Sequence, residues 1–179
     1  MNKLLVDALK RSGVAVIPTD TIYGIVACAL DKKAVERLYK VRRRNPKKPC
    51  IILISKIEDL RQFEISPDEK TLNILRTLWP GPVSVILPCL SKKFAYLHRG
   101  TRSLAFRLPK KQGVVRLLRK TGPLIAPSAN PEGLAPARTI TEAKKYFTSE
   151  VDVYMAGRVG GRPSKLVSIR NGKMVVLRP

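Results

Sequence analysis

The chain has 179 residues, 44% of them hydrophobic, enough to close one core and bury roughly 70% of its unfolded surface, while its longest apolar runs, Val83 to Leu87 and Cys50 to Ile54, fall far short of the ~20 residues of a membrane span. Lys and Arg number 35 against 13 Asp and Glu, a formal net charge of +22; such a field attracts polyanions (nucleotides, RNA, an anionic surface), and a general basic bias is the plain alternative. The lone histidine, His98, and the scattered Cys28, Cys50 and Cys89 offer no chelating pair for zinc and no disulfide framework, and charges at Asp7, Lys10 and Arg11 do not read as a secretory leader, so a cytoplasmic protein is expected.

Leu4 to Lys10 has helical apolar spacing that stops at Gly13, and Val14 to Ile17 reads as a buried strand ended by Pro18. The next segment, Pro18-Thr19-Asp20-Thr21-Ile22-Tyr23-Gly24, reads either as a turn followed by a helix cap or as a ligand-binding strand end. Asp31 is suited to cap a helix with Val35, Leu38 and Val41 on one face, running into the basic stretch Arg42 to Lys48. Cys50 to Ser55 is a strand, Pro67 to Leu78 a helix, Trp79 to Pro82 a turn and Val83 to Leu87 a central strand. Ser103 to Leu108 is a strand, Pro109 to Lys120 an amphipathic helix, and Leu124 to Ala126 a short strand entering Pro127-Ser128-Ala129-Asn130. Thr139 or Thr141 caps the last helix. After Val151 to Met155 and a Gly-rich loop from Gly157 to Pro163, two strands flank Asn171-Gly172, a strong hairpin signal. This alternation predicts an α/β fold, a single domain over residues 1–179 with a twisted mixed β-sheet and flanking helices.

Four polar segments could gather around a ligand. Besides Pro18 to Gly24 there is Lys40 to Pro49, where six cations within nine residues exceed what a helix C-terminal dipole explains and suit a triphosphate. Ser128-Ala129-Asn130 combines small size with a hydroxyl and an amide. Gly157 to Ser164 is flexible and basic, without Walker spacing.

In this order the segments resemble the YrdC/Sua5 family of threonylcarbamoyl-AMP synthases over nearly the whole chain. The resemblance rests on Pro18 to Gly24, the Lys40/Arg42 pair, Trp79 to Pro82, Arg107/Pro109 and Ser128 to Asn130, and the chain looks like the short form without an extra C-terminal domain. It implies a YrdC-like sheet around a basic cavity and a nucleotidyltransferase that joins L-threonine, bicarbonate or CO2, and ATP, releasing pyrophosphate. Mg2+ would come with ATP, with no protein metal site. A tRNA threonylcarbamoyl transferase complex would receive the product. The resemblance places Lys40 and Arg42 on the ATP phosphates, as the catalytic pair, and Lys48, Ser128, Asn130 and Ser164 about the nucleotide. Thr21, Tyr23, Ser103 and Arg107 fall to threonine, Arg107 as a bidentate fork on its carboxylate.

The basic loop is one residue longer than the usual Lys-x-Arg-Pro pattern, which leaves Arg43, Arg44 and Lys48 as candidates for the next phosphate contact. Lys165 replaces a threonine of the family pattern and is either a further phosphate cation or the mark of a changed role. Two readings compete. A YciO-like paralogue would share the fold but usually lacks Ser-Ala-Asn. A non-catalytic module would hold tRNA or double-stranded RNA by its backbone and release it with salt.

Overall fold

The computed structural model describes residues 2–170 and 173–179. Strands β1 (Ala15–Pro18), β2 (Tyr23–Cys28), β3 (Ile51–Leu53), β4 (Val83–Pro88), β5 (Ser103–Arg107), β6 (Leu124–Ile125), β7 (Val153–Tyr154), β8 (Lys165–Arg170) and β9 (Lys173–Arg178) form one sheet in the order β7-β1-β2-β6-β3-β5-β4-β8-β9. It is mixed: β7 and β1, β3 and β5, and β4 and β8 run parallel, and the other pairs antiparallel. The helices are α1 (Lys3–Lys10), α2 (Lys32–Val41), α3 (Glu69–Leu78), α4 (Ala95–His98), α5 (Gln112–Thr121) and α6 (Ile140–Phe147).

Strands buried on both faces read as continuous apolar runs, because alternate side chains enter different cores. Val14, Val16, Ile25, Ala27, Ile52, Ile54 and Phe106 pack under α2 with Phe63 and Phe94. Ala15, Ile17, Val26, Leu53 and Leu124 pack under α1 and α5 through Leu5, Leu9, Val114 and Leu118. The Phe63 ring meets Phe106 edge-on at 5.1 Å and Phe94 at 5.5 Å, contacts favoured by the ring quadrupoles.

Two departures from the sequence expectations bear on function. The segment after β1 leads into β2 rather than a helix, turned by Thr19, whose N–H and hydroxyl both donate to the Ile22 carbonyl at 3.3 and 2.7 Å. A 3-10 helix over Ile57–Phe63 and the short α4 lie where the apolar spacing is too brief to announce a helix. The strands flanking Asn171-Gly172 pair antiparallel; the turn residues themselves lie outside the described residues.

Caps fall where short polar side chains precede apolar periodicity. Asp31 accepts from the N–H groups of Lys33 and Ala34 at 2.9 and 3.2 Å, and Thr139, not Thr141, accepts from Glu142 at 3.1 Å. Gly13 ends α1 because a side chain there would place Cβ 2.4 Å from the Ala8 carbonyl oxygen. Burial alone would raise the Asp31 carboxyl, but hydrogen bonds from Ser12, Ala34 and Lys33 outweigh it and hold the group below its ordinary value. Asp31→Ala should therefore cost about 1 kcal/mol at neutral pH. The folded carboxyl is depressed, so this contribution exists above the unfolded Asp range, about 3.9, and is lost as pH falls through the lower folded value. Urea denaturation of both proteins at neutral and acid pH checks it: the gap should close in acid, and a pH-independent gap would contradict the capping account.

Candidate active site

The sheet face that α1 and α5 cover at one end is bare at the other. Alternation along β5 turns Ser103, Ala105 and Arg107 to this face and sends Leu104 and Phe106 into the core. Ile51 and Ile86 stand beside Ala105 in register across β3 and β4. Together they floor a cavity of about 520 Å³, a size that suits a small ligand.

Arg42, the C-cap residue of α2, forms one wall. Its Nε donates to the Ser128 carbonyl at 2.9 Å, and its Nη2 to Ser128 Oγ at 3.0 Å and to Asn130 Oδ1 at 3.4 Å. The residue is 5% exposed, and its buried Nη1 has no protein partner among the described residues. Burial first, and the like charge of Arg44 second, lower its pKa, though a guanidinium stays charged at neutral pH. Arg44 lines the same wall.

Ser128 is carried to the cavity by an extension of β6 beside β2: Ala129 N–H donates to the Tyr23 carbonyl at 2.9 Å, and Ile25 N–H to that of Pro127 at 3.0 Å. On the far side, Arg107 is 4% exposed with Nη1 3.0 Å from Asp20 Oδ1. That pair is a charge contact without hydrogen-bond alignment, since neither atom has an aligned partner. Burial lowers the Arg107 pKa and Asp20 opposes the shift. Thr21 lies in the same wall, its hydroxyl 3.0 Å from that of Thr19; Thr19 already donates to Ile22, so Thr21 is the donor here.

The Gly-rich loop closes the rim. Tyr23 Oη donates to the Gly157 carbonyl at 2.7 Å and accepts from the Gly157 N–H at 3.1 Å. Gly161 N–H donates to the Thr21 carbonyl at 2.7 Å, and Lys111 Nζ to the Arg158 carbonyl at 2.6 Å. Ser164 Oγ meets Ser84 Oγ at 2.9 Å, and its carbonyl accepts from Arg178 Nε and Nη2 at 3.2 and 2.7 Å.

Of the residues singled out in the sequence, Thr21, Arg42, Ser103, Arg107, Ser128 and Ser164 line the cavity. Lys40 does not: it is exposed, because two residues separate it from Arg42 by about 200° of helix. The cavity therefore pairs Arg42 with Arg44, a register two residues later than Lys40/Arg42. Lys48 is also turned outward, onto Glu132 at 2.8 Å. Tyr23 and Asn130 stand behind the wall; Asn130 Nδ2 donates to the carbonyls of Pro131 and Leu134 at 2.9 and 2.7 Å. Lys165 is exposed between Ser164 and Leu166, which face inward, so it adds no cation to the site. Arg178 and Thr101 were not anticipated; the hairpin register that sets Arg178 opposite Leu166 was the available signal for the first.

The lining thus offers guanidinium groups and hydroxyls around an apolar floor and, among the described residues, no carboxylate. Among the described residues no group of three or more His, Cys, Asp or Glu is placed to hold a metal ion, and no helix is long and apolar enough to cross a membrane.

A family model for Sua5/YciO/YrdC, described as telomere recombination, matches residues 7–179. A threonylcarbamoyl-AMP synthase of Hahella chejuensis is 33% identical over 95% of this chain and 94% of its own. A crystal structure of P. abyssi Sua5 complexed with L-threonine superposes with a TM-score of 0.89 at 26% identity, covering 98% of this chain. This chain spans about half of that longer protein, 52%. E. coli YciO shares the fold, with a TM-score of 0.83 at 22% identity over 97% of this chain and 86% of its own.

A Cβ on Gly160 would lie 2.6 Å from the Asp20 carbonyl oxygen, a backbone atom that cannot swing aside. Gly160→Ala should lift the rim loop and speed tryptic cleavage after Arg158 several-fold while the circular dichroism spectrum is kept. An unchanged cleavage rate would mean that the loop is not held by this approach.

Proposed function

The chain belongs to the Sua5/YciO/YrdC family, and from that premise and its cavity we propose that it is an L-threonylcarbamoyladenylate synthase, a nucleotidyltransferase with residues 1–179 as one catalytic domain. One observation carries this reading: Arg42, Arg44, Arg107 and Arg178 converge with hydroxyls on an apolar floor and, among the described residues, no lining carboxylate opposes an anion. Such a site holds two anionic reactants and relies on position and charge, with no enzyme nucleophile.

Bicarbonate takes up a proton and loses water to give CO2, and the threonine amine adds to its carbon and releases a proton to solvent, leaving a carbamate. A carbamate oxygen attacks the α-phosphorus of ATP in line; the bond from that phosphorus to the bridging oxygen breaks, and pyrophosphate leaves with its electron pair. Arg42 and Arg44 hold the phosphates and offset the charge gathered on them. Ser128 and Ser164 add hydroxyls at the nucleotide, and Asn130 fixes the Arg42 guanidinium from behind. Thr21, Ser103 and Arg107 orient threonine, with Tyr23 acting through the rim loop. Mg2+ would arrive with the ATP phosphates, which supply oxygen ligands of the kind it takes. The labile product passes in the cytoplasm to a tRNA threonylcarbamoyl transferase complex; direct contact with tRNA is consistent with the +22 charge.

The test is pyrophosphate release from ATP and bicarbonate with L-threonine, with L-serine, and with neither. Threonine-dependent release is expected; its absence from folded protein, with RNA retention that falls steeply with salt, would favour the RNA-binding module. Arg42→Ala and Arg44→Ala should each remove most turnover, whereas Lys40→Ala should retain it. A large loss in Lys40→Ala with full activity in Arg44→Ala would restore the earlier register. Arg107→Ala should raise the threonine requirement more than the ATP requirement, and equal effects would make Arg107 a structural residue instead.

A further inference from the structure

Arg44 reaches the cavity from a loop without regular structure, so its aim has to be set by other contacts. Its Nε donates to the Lys48 carbonyl at 3.0 Å and its Nη2 to that of Pro49 at 2.8 Å. The Tyr39 hydroxyl donates to the same Lys48 carbonyl at 2.9 Å. Burial raises the pKa of this phenol, which keeps the donor proton in place. Two cations stand over the Tyr39 ring, with Arg44 Cζ 6.0 Å and Arg99 Cζ 4.0 Å from its centroid.

Arg99 comes from a different part of the chain. It follows α4 with φ of 50° and places Nη2 3.0 Å from Glu36 Oε1. Its side chain is 12% exposed, yet neither Nε nor Nη2 makes an aligned hydrogen bond. A guanidinium in that state is held by the ring face and by the Glu36 charge rather than by a donor fork. Its contact with the ring face orders the ring, and the ring in turn limits where Arg44 and the Lys48 carbonyl can go.

We propose that Tyr39 and Arg99 are positioning residues for Arg44: the Arg99–Tyr39–Arg44 column sets where the Arg44 cation meets the nucleotide phosphates. The proposal rests on the nucleotide-binding reading above. It links α4 and the loop that follows it, whose Thr101 also lines the cavity, to the basic loop at the end of α2. Threonine binding, assigned to the opposite wall around Arg107, should not depend on the column.

The experiment is a double-mutant cycle read as ATP affinity by equilibrium titration, on wild type, Arg99→Gln, Arg44→Ala and the double variant, with the KM for threonine measured beside it. Arg99→Gln should weaken ATP several-fold and leave the threonine KM unchanged. Arg44→Ala should weaken ATP more, and the double variant should be no weaker than Arg44→Ala alone, because residues acting through one another are not additive. Arg99→Lys, which keeps the charge but not the guanidinium, should fall between Arg99→Gln and wild type. Tyr39→Phe retains the ring and loses the hydroxyl; it should weaken ATP by a smaller factor, and it serves as the test if Arg99→Gln fails to fold. A double variant weakened by the product of the two single factors, or equal effects on ATP and threonine, would overturn the proposal. Wild type that binds ATP without threonine-dependent pyrophosphate release would sink the proposed reaction and leave the column to be judged by the cycle. Wild type that does not bind ATP would sink both.

Discussion

The buried guanidinium of Arg42 is the tie on which the site depends. Helix α2 ends beside the segment that follows β6, in one wall of the cavity, and Arg42 joins them by donating to the carbonyl and hydroxyl of Ser128. The same junction is stitched twice more: Glu132 N–H donates to the Arg42 carbonyl at 3.0 Å, and the Glu132 carboxylate accepts from Asn45 N–H and Lys48 Nζ at 2.6 and 2.8 Å. Hydrogen bonds to a charged group are stronger than neutral ones, and a buried charge left without them carries a large penalty. Ser128 and Asn130 thus serve the site in two ways, as wall and as the anchor of its central cation.

That anchor explains how guanidinium groups stand close together around one cavity. Each has a local compensation that leaves part of the group unspent. Arg42 gives Nε and Nη2 to the Ser128–Asn130 segment and keeps Nη1 free of protein partners. Arg107 faces Asp20 without making an aligned bond to it, and Arg178 is turned onto the Ser164 carbonyl. Donors fixed in this way need little reorganisation when charge develops near them, which is where electrostatic stabilisation gains its strength.

Much of the framework was legible in the sequence because it follows from period and punctuation. The alternating blocks, the Asp31 cap, a cap at Thr139 or Thr141 and the helix stop at Gly13 are local facts, and local chemistry determines them. The sequence left the register of the basic loop open among Arg43, Arg44 and Lys48, because charge density alone does not say which cations face inward. Lys40 and Arg42 look alike in a list, but only Arg42 lies on the face of α2 that meets Ser128. β2 was hidden by Gly24, which resembles turn material and is in fact the place where strand backbone approaches Pro127 and Ser128. Gly24 bridges Ser128 in antiparallel register there. Arg178 lies in the last strand, well past Asn130, where the motifs that carry the resemblance end, and only pairing of β8 with β9 brings it to the cavity.

The departure at Lys165 shows why position within a strand outweighs residue type. A lysine beside Ser164 seems, in sequence, to enlarge the basic site. On a strand, neighbours point to opposite faces, so with Ser164 and Leu166 lining the cavity the intervening side chain faces solvent. The Lys165 side chain is exposed, while the hydroxyl before it is held by Ser84 and its carbonyl by Arg178. The same argument separates the bulk charge of +22 from the chemistry. Most cations lie on the outer surface, where they contribute a long-range field that salt screens, whereas a few buried ones, each held by carbonyl, carboxylate or ring, define what the cavity can hold.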